Sequence, residues 1–255
     1  MAGHNKWSKI KRKKGALDAK RSKIFSRLIK EINVAVKEGD SGDPDFNPRL
    51  RLAISNAKGA NMPKDNIERA IKKALDSDGA AIHQPTYEGY APHGIAVFVE
   101  CTTDNLNRTI ASVRSTFTKK EGSLGTSGSV DYLFDRKGIF TLAIDEYDKA
   151  ELELALIDGG AEDLDKDEET GEITVTVAFE DFGNMQSKLE ELNIEPKSAV
   201  LERIPKTDIQ VDLDQARQIM NLIDELEDNE DVQNVYHNMA MTDEIEEMLD
   251  EKDEE

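Results

Sequence analysis

The chain has one cysteine, Cys101, among its 255 residues. That excludes an internal disulfide and suits a reducing compartment. Aromatic residues make up 5% and there is a single Trp, so several small cores are expected in place of one large one. No run of about eighteen apolar residues exists, which excludes a transmembrane helix. The basic N-terminus is not followed by the apolar segment of a secretory signal. The four histidines, His4, His83, His93 and His237, lack metal-ligand spacing. Cys101 ends an apolar run and reads as a small packed hydrophobe. Acids are plentiful, but none is marked out as half of a general acid/base pair. The expectation is a cytoplasmic protein without enzymatic activity, cofactor, metal, small-molecule substrate or membrane attachment.

Charge is what the chain has in quantity, and it is divided. From Met1 to Lys30 there are eleven Lys or Arg and one acid, Asp18. Through Leu75 the net charge is +11, and from Asp76 to Glu255 it is −31, giving −20 overall. A basic head on an acidic body approaches a polyanion with the head and is repelled along the body.

The arm holds His4, Lys6, Trp7, Lys9, Lys11, Arg12, Lys13 and Lys14 without a sustained apolar period, and is expected to order on contact. Helical spacing begins at Asp18, with Ile24, Phe25, Leu28, Ile29, Ile32, Ala35 and Val36 on one face. Lys20, Arg21, Lys23, Arg27 and Lys30 lie around the polar face. Asn47-Pro48 reads as an N-cap followed by a first-turn proline, and Pro63 opens a third helix. These three helices make a small all-α domain ending near Leu75. After a linker at 76–85 the pattern is mixed. Strands are expected at 86–90 and 95–101, a helix from Asp104 or Asn105, and a hairpin of 130–134 with 139–144. Helix 149–157, strand 173–179, helix 182–192, strand 199–204, helix 214–226 and strand 232–236 follow. The class is α+β multidomain. Residues 243–255 hold nine acids and one lysine and read as a solvated tail.

Lysine and arginine at the arm's density neutralise phosphates without reading sequence. Trp7 is suited to stack on an unpaired base, which favours single-stranded or structured RNA over duplex DNA. The second and third helices imitate a helix-turn-helix exposing Lys64, Asn66, Arg69, Lys72 and Lys73, but Asp65 and Glu68 share that face. Packing without groove reading is the better account. Gly122, Ser123, Gly125, Gly128 and Ser129 form a loop with a glycine every third residue, beside Lys119 and Lys120. Its helix–loop–strand order is the reverse of a P-loop, so an ATP site is not expected. It is either a flexible connection or a loop that enters a ribonucleoprotein surface.

Several motifs together resemble the YebC family. They are Met1 to Trp7, Asp18 to Phe25, Asn47-Pro48-Arg49-Leu50-Arg51, Asn61 to Ile67, Tyr87-Glu88-Gly89-Tyr90, Thr103 to Thr109, Gly122 to Phe134 and Asp231 to Asn238. That family includes bacterial proteins labelled transcriptional regulators and a mitochondrial translational activator of cytochrome oxidase, and has been tied to ribosomes stalled on proline-rich stretches. The resemblance implies an N-terminal three-helix domain followed by two α+β domains, the third inserted into the second. The expected boundaries are 1–78, 79–130 with 206–240, 131–205, and a tail at 241–255. It also draws Arg49, Arg51 and Lys64 into the nucleic-acid-binding set. Asn5 stands where serine is common, and Leu106 where a basic residue is usual. Ala91 and His93 lie in a turn that in the family is usually richer in glycine, and Glu121 precedes a loop where glycine is frequent. The implied activity is a ribosome-associated translation factor contacting rRNA or tRNA. The alternative is a DNA-binding transcriptional regulator. Nothing in the sequence fixes the oligomeric state, and a monomer is the default expectation.

Overall fold

Apolar residues at helical spacing in the first third, and alternating apolar residues beyond it, produce three helices followed by two antiparallel sheets. The structure, a computed structural model, describes residues 18–76, 81–143, 149–167 and 170–254. Two compact units result: 79–135 with 204–255, and 22–78 with 136–203.

In the second unit, helices α1 (Asp18–Gly39), α2 (Pro48–Gly59) and α3 (Lys64–Asp76) enclose Leu28, Ile32, Ala35, Leu50, Ala53, Ile67 and Ala70. Asn47 caps α2 as expected. Its Oδ1 accepts from the Leu50 amide at 3.0 Å while its Nδ2 donates to the Ala35 carbonyl at 2.8 Å. One side chain thus starts α2 and fixes it to α1.

The same unit holds β4 (Phe134–Ala143), α5 (Lys149–Asp158), β5 (Ala161–Asp167), β6 (Glu172–Ala178), α6 (Phe182–Glu191) and β7 (Ser198–Pro205). The sheet order is β5-β6-β4-β7. Phe140, Leu142, Ile173, Val175 and Val177 pack against Leu152, Leu156, Met185 and Leu189 of the two helices. The expected hairpin at 130–144 is corrected. Residues 134–143 form one continuous strand, led in by a 3-10 turn at Asp131–Leu133. Gly138 is an interior strand residue whose added Cβ would lie 2.6 Å from Val177 Cγ2. That glycine marks close packing and not a turn.

The helical part is latched to this sheet. The Asn56 side chain donates to the Ala199 carbonyl at 3.0 Å and accepts from the Ala199 amide at 2.8 Å. A buried amide therefore completes the outer edge of β7, as a neighbouring strand would. Gly59 lies so close that an added Cβ would be 1.7 Å from the Lys197 carbonyl oxygen. Arg51 faces Glu190 at 3.7 Å and Lys58 faces Glu195 at 3.6 Å.

In the first unit, β1 (Thr86–Tyr90), β2 (Ala96–Cys101), α4 (Leu106–Lys119), β3 (Ser123–Leu124), α7 (Leu213–Glu227), β8 (Val232–His237) and α8 (Asp243–Glu254) build a sheet of order β3-β1-β2-β8. The late strand β8 pairs antiparallel with β2, Phe98 opposite Tyr236, so the second sheet is an insertion within this fold. Val97, Val99 and Cys101 face α4 and α7, while Ala96, Phe98 and Tyr236 pack with Val130 and Phe134 on the other face. The strand-type alternation of β2 supplies both cores.

The Asp231 carboxylate joins the elements of this unit. It accepts from Arg108 Nη2 at 2.8 Å and from the Thr109 hydroxyl at 2.9 Å, and the Thr109 hydroxyl reaches that of Thr103 at 2.8 Å. The first turn of α4 is thereby tied to the start of β8. The solvated-tail expectation is also corrected. Residues 243–254 are helical, and Ile245 and Leu249 are each 1% exposed in the core with Met241. A four-residue spacing puts the two apolar side chains on one helix face, which an acid count over the segment conceals.

Candidate nucleic-acid interface

Two surfaces carry the residues singled out in the sequence. His4, Lys6, Trp7, Lys9, Lys11, Arg12, Lys13 and Lys14 lie outside the described residues, as does the side chain of Lys20. Of the others in the basic helical part, Arg21, Arg49, Arg51 and Lys64 are exposed, and Lys23 and Arg27 are half-buried. Several cations there already have acidic partners. Arg49 pairs with Glu38, Arg51 with Glu190 and Lys64 with Glu68.

Glu31 is the exception among the acids of α1. Burial pushes its carboxyl up to about 7 from an ordinary 4.5, against the pull of Arg49 and Arg27. Arg49, though exposed over part of its side chain, is in turn lowered by partial desolvation, with Glu31 acting in the opposite sense. Near neutrality Glu31 is therefore partly protonated and subtracts less than a full charge from the positive charge of this helix. The linkage has a definite sign. The unfolded chain releases the Glu31 proton near 4.5 and the folded chain only near 7. The folded state holds the extra proton between these values, so stability falls as pH rises through that window. A contribution of about 3 kcal/mol is lost across it. Urea midpoints measured from pH 4.5 to 8 should decline for the parent relative to Glu31→Gln, with the two curves diverging most above pH 7.

The second surface is the glycine loop, and it is not a slack connection. Glu88, 4% exposed on β1, sends its carboxylate into the loop. Oε1 accepts from the Gly128 amide at 2.7 Å, and Oε2 accepts from the Val130 and Asp131 amides at 2.7 and 2.9 Å. The Glu88 carbonyl accepts from the Gly125 amide at 2.7 Å. Ser123 and Leu124 pair with Tyr90 and Gly89, and the Tyr90 hydroxyl donates to the Ser129 carbonyl at 3.3 Å. Gly125, Thr126, Ser127 and Gly128 form the exposed tip. Gly89 is required by the fit, since a Cβ there would lie 2.4 Å from the Ser123 carbonyl.

Lys119 is exposed, while Lys120 pairs with Glu225 at 3.1 Å. Glu121 and His93 have φ of 58° and 63°. Both are left-handed positions, where glycine would sit without the steric cost a side chain brings. Burial, the hydrogen-bonded Tyr132 hydroxyl and the Glu88 charge all push the Tyr90 phenol above its ordinary value.

Tyr87-Glu88-Gly89-Tyr90 stands out as a sequence motif, but its pattern assigns Glu88 no role. A lone glutamate in a strand reads as a solvent-facing residue. The available signal was its setting between apolar and glycine neighbours that leave it little water. Tyr132, 63% exposed, was also missed, because one aromatic in a loop has no periodicity to mark it.

Among the described residues no group of three or more His, Cys, Asp or Glu is placed to hold a metal ion. No helix among them is long and apolar enough to cross a membrane.

Comparison with known proteins is consistent along the chain. Residues 5–77 match the TACO1/YebC protein N-terminal domain, and residues 82–239 match the TACO1/YebC second and third domain. A "probable transcriptional regulatory protein" of Amoebophilus asiaticus is 54% identical over 241 residues, covering 94% of this chain and 98% of that one. One of the same description from Geotalea uraniireducens is 52% identical over 247 residues, covering 96% and 98%. A crystal structure of a conserved hypothetical protein from Aquifex aeolicus superposes with a TM-score of 0.76 at 43% identity, covering 89% of this chain and 93% of the other.

Proposed function

The chain belongs to the TACO1/YebC family, a family of regulators, and from that premise we propose a non-enzymatic nucleic-acid-binding factor of the ribosome. In this reading it contacts rRNA or tRNA and relieves stalling on proline-rich stretches. The observation that carries it is the glycine loop. Its backbone is fixed by four hydrogen bonds to Glu88 and its small, hydroxyl-bearing tip is exposed. A narrow, preformed loop enters a crowded ribonucleoprotein site at low ordering cost. The basic head supplies the sequence-independent grip on phosphate. Cytoplasmic action follows from the same reading.

The printed names of the relatives favour a second reading, a DNA-binding transcriptional regulator. The third helix gives it little support. Arg69 is engaged by Asn66 and the Asp65 carbonyl of its own helix, and Lys64 by Glu68. Co-sedimentation with ribosomes, compared with duplex DNA binding at physiological salt, separates the two readings. Retention on promoter duplexes without ribosome association would overturn the first.

Replacing Lys11, Arg12, Lys13 and Lys14 with Ala should weaken nucleic-acid binding by a similar factor for every sequence. It should also flatten the salt dependence by about 3 units of slope. Titrations at several salt concentrations check this, and a changed sequence preference would show that the arm reads bases.

A further inference from the structure

We infer that the glycine loop takes an unpaired nucleotide base, not a phosphate, and that it does so by stacking on the Tyr132 ring, with Glu88 as the positioning residue. The inference rests on the reading of the loop as an RNA-contacting element. Consecutive loop amides would ordinarily form a nest for a phosphate oxygen. Here the Gly128, Val130 and Asp131 amides already hold the Glu88 carboxylate at 2.7 to 2.9 Å. The nest carries its own internal anion. Exposed Glu121 and Asp131 at either end of the loop add further repulsion for phosphate.

What the loop still offers is a ring. Tyr132 lies on the 3-10 turn that begins at Asp131, directly after the amides held by Glu88, and is 63% exposed. The neighbouring Tyr90 hydroxyl donates to the Ser129 carbonyl at 3.3 Å, so the chain leading into that turn is held from β1 as well. A ring carried on a turn whose preceding amides are already fixed loses little backbone freedom when a base stacks on its open face. Every base has such a face, so the contact tolerates sequence but requires the nucleotide to be unpaired.

The test uses the full chain and a short single-stranded RNA carrying 2-aminopurine, with the same RNA annealed as a duplex. Tyr132→Leu should weaken single-strand binding about 10-fold without altering the salt slope, and leave duplex binding unchanged. Tyr132→Phe, which keeps the ring, should stay within about 3-fold of the parent. Glu88→Gln should reproduce the Tyr132→Leu loss and speed hydrogen exchange at the Gly128, Val130 and Asp131 amides. Parent-like single-strand binding by Tyr132→Leu overturns the inference. A loss accompanied by a flatter salt slope also overturns it, because the contact would then be to phosphate. A Tyr132→Leu defect confined to ribosome association, with single-strand binding intact, would mean that the ring meets protein, and likewise overturns it. If single-strand binding falls while the parent never pellets with ribosomes, the base-stacking inference stands and the ribosomal reading falls.

Discussion

Ile245→Ala with Leu249→Ala should leave the first unit barely folded at 37 °C. Each side chain is 1% exposed and packs in the core beneath the β3-β1-β2-β8 sheet. Each truncation is expected to cost about 2–5 kcal/mol through lost transfer energy and the cavity left behind. The sum is comparable to the whole stability of a typical domain, about 5–15 kcal/mol. Urea unfolding monitored by circular dichroism should show the loss. By contrast, changing Asp243, Glu244, Glu246 and Glu247 to their amides removes four charges from the same helix and should move the midpoint little. If the apolar double variant and the amide variant behaved alike, α8 would be an ornament of the fold, and its burial of Ile245 and Leu249 would contribute nothing. The contrast also bears on whether the acidic segment competes for the basic head. Deleting 243–255 removes the two core residues along with the charges, so the amide variant is the one that isolates electrostatics.

Gly59→Ala should release the helical part of the second unit from its sheet. No rotamer adjustment accommodates a Cβ 1.7 Å from the Lys197 carbonyl oxygen, since the backbone fixes the Cβ position and the oxygen is itself backbone. The end of α2 must withdraw, and the Asn56 bridge to Ala199 opens with it. Asn56→Ala reaches the same state by a different route. It leaves the Ala199 amide and carbonyl unsatisfied where they were buried, at about 1–3 kcal/mol for each group. The three-helix core and the sheet core are separate clusters, so each retains its own reason to fold. The expected result is two thermal transitions for Gly59→Ala in place of one shared transition, and fast hydrogen exchange at the Ala199 amide. A single, merely lowered transition would show that the latch does not hold the two parts together.

Elements with local chemical signals were legible in the sequence. Asn47-Pro48 specified a cap that the structure realises, and Asn105 caps α4 by accepting from the Arg108 amide at 3.1 Å. The alternation of 96–101 and the helical spacing of 214–226 gave the right types. What escaped depends on distant partners. The strand β5, Ala161–Asp167, is rich in acids and acquires its form by pairing with β6. Gly138 looked like a turn residue because the side chains that crowd it, Val177 and Phe182, are remote in sequence. In the loop, glycine spacing marked the segment, but the residue that shapes it is Glu88, roughly forty positions earlier. A carboxylate's engagement with three amides leaves no periodic trace. The Asn56 latch is similar, since Asn inside a helix reads as a mild propensity defect until β7 is placed beside it.

The pairing of β2 with β8 also sets a schedule for synthesis. Ala96–Cys101 emerges early, yet its partner strand Val232–His237 lies beyond the entire inserted sheet. At about 5–20 residues per second, the wait between the two strands is on the order of 10 s. Throughout that interval β2 presents an unpaired, apolar edge, the arrangement most open to mispairing with another nascent chain. The helical part and the insert have all their strands and helices by residue 205 and are free to fold first. A chain of this topology thus depends on its own early-folding portions, or on a chaperone, to shield the β2 edge until the last sixth of the sequence closes it.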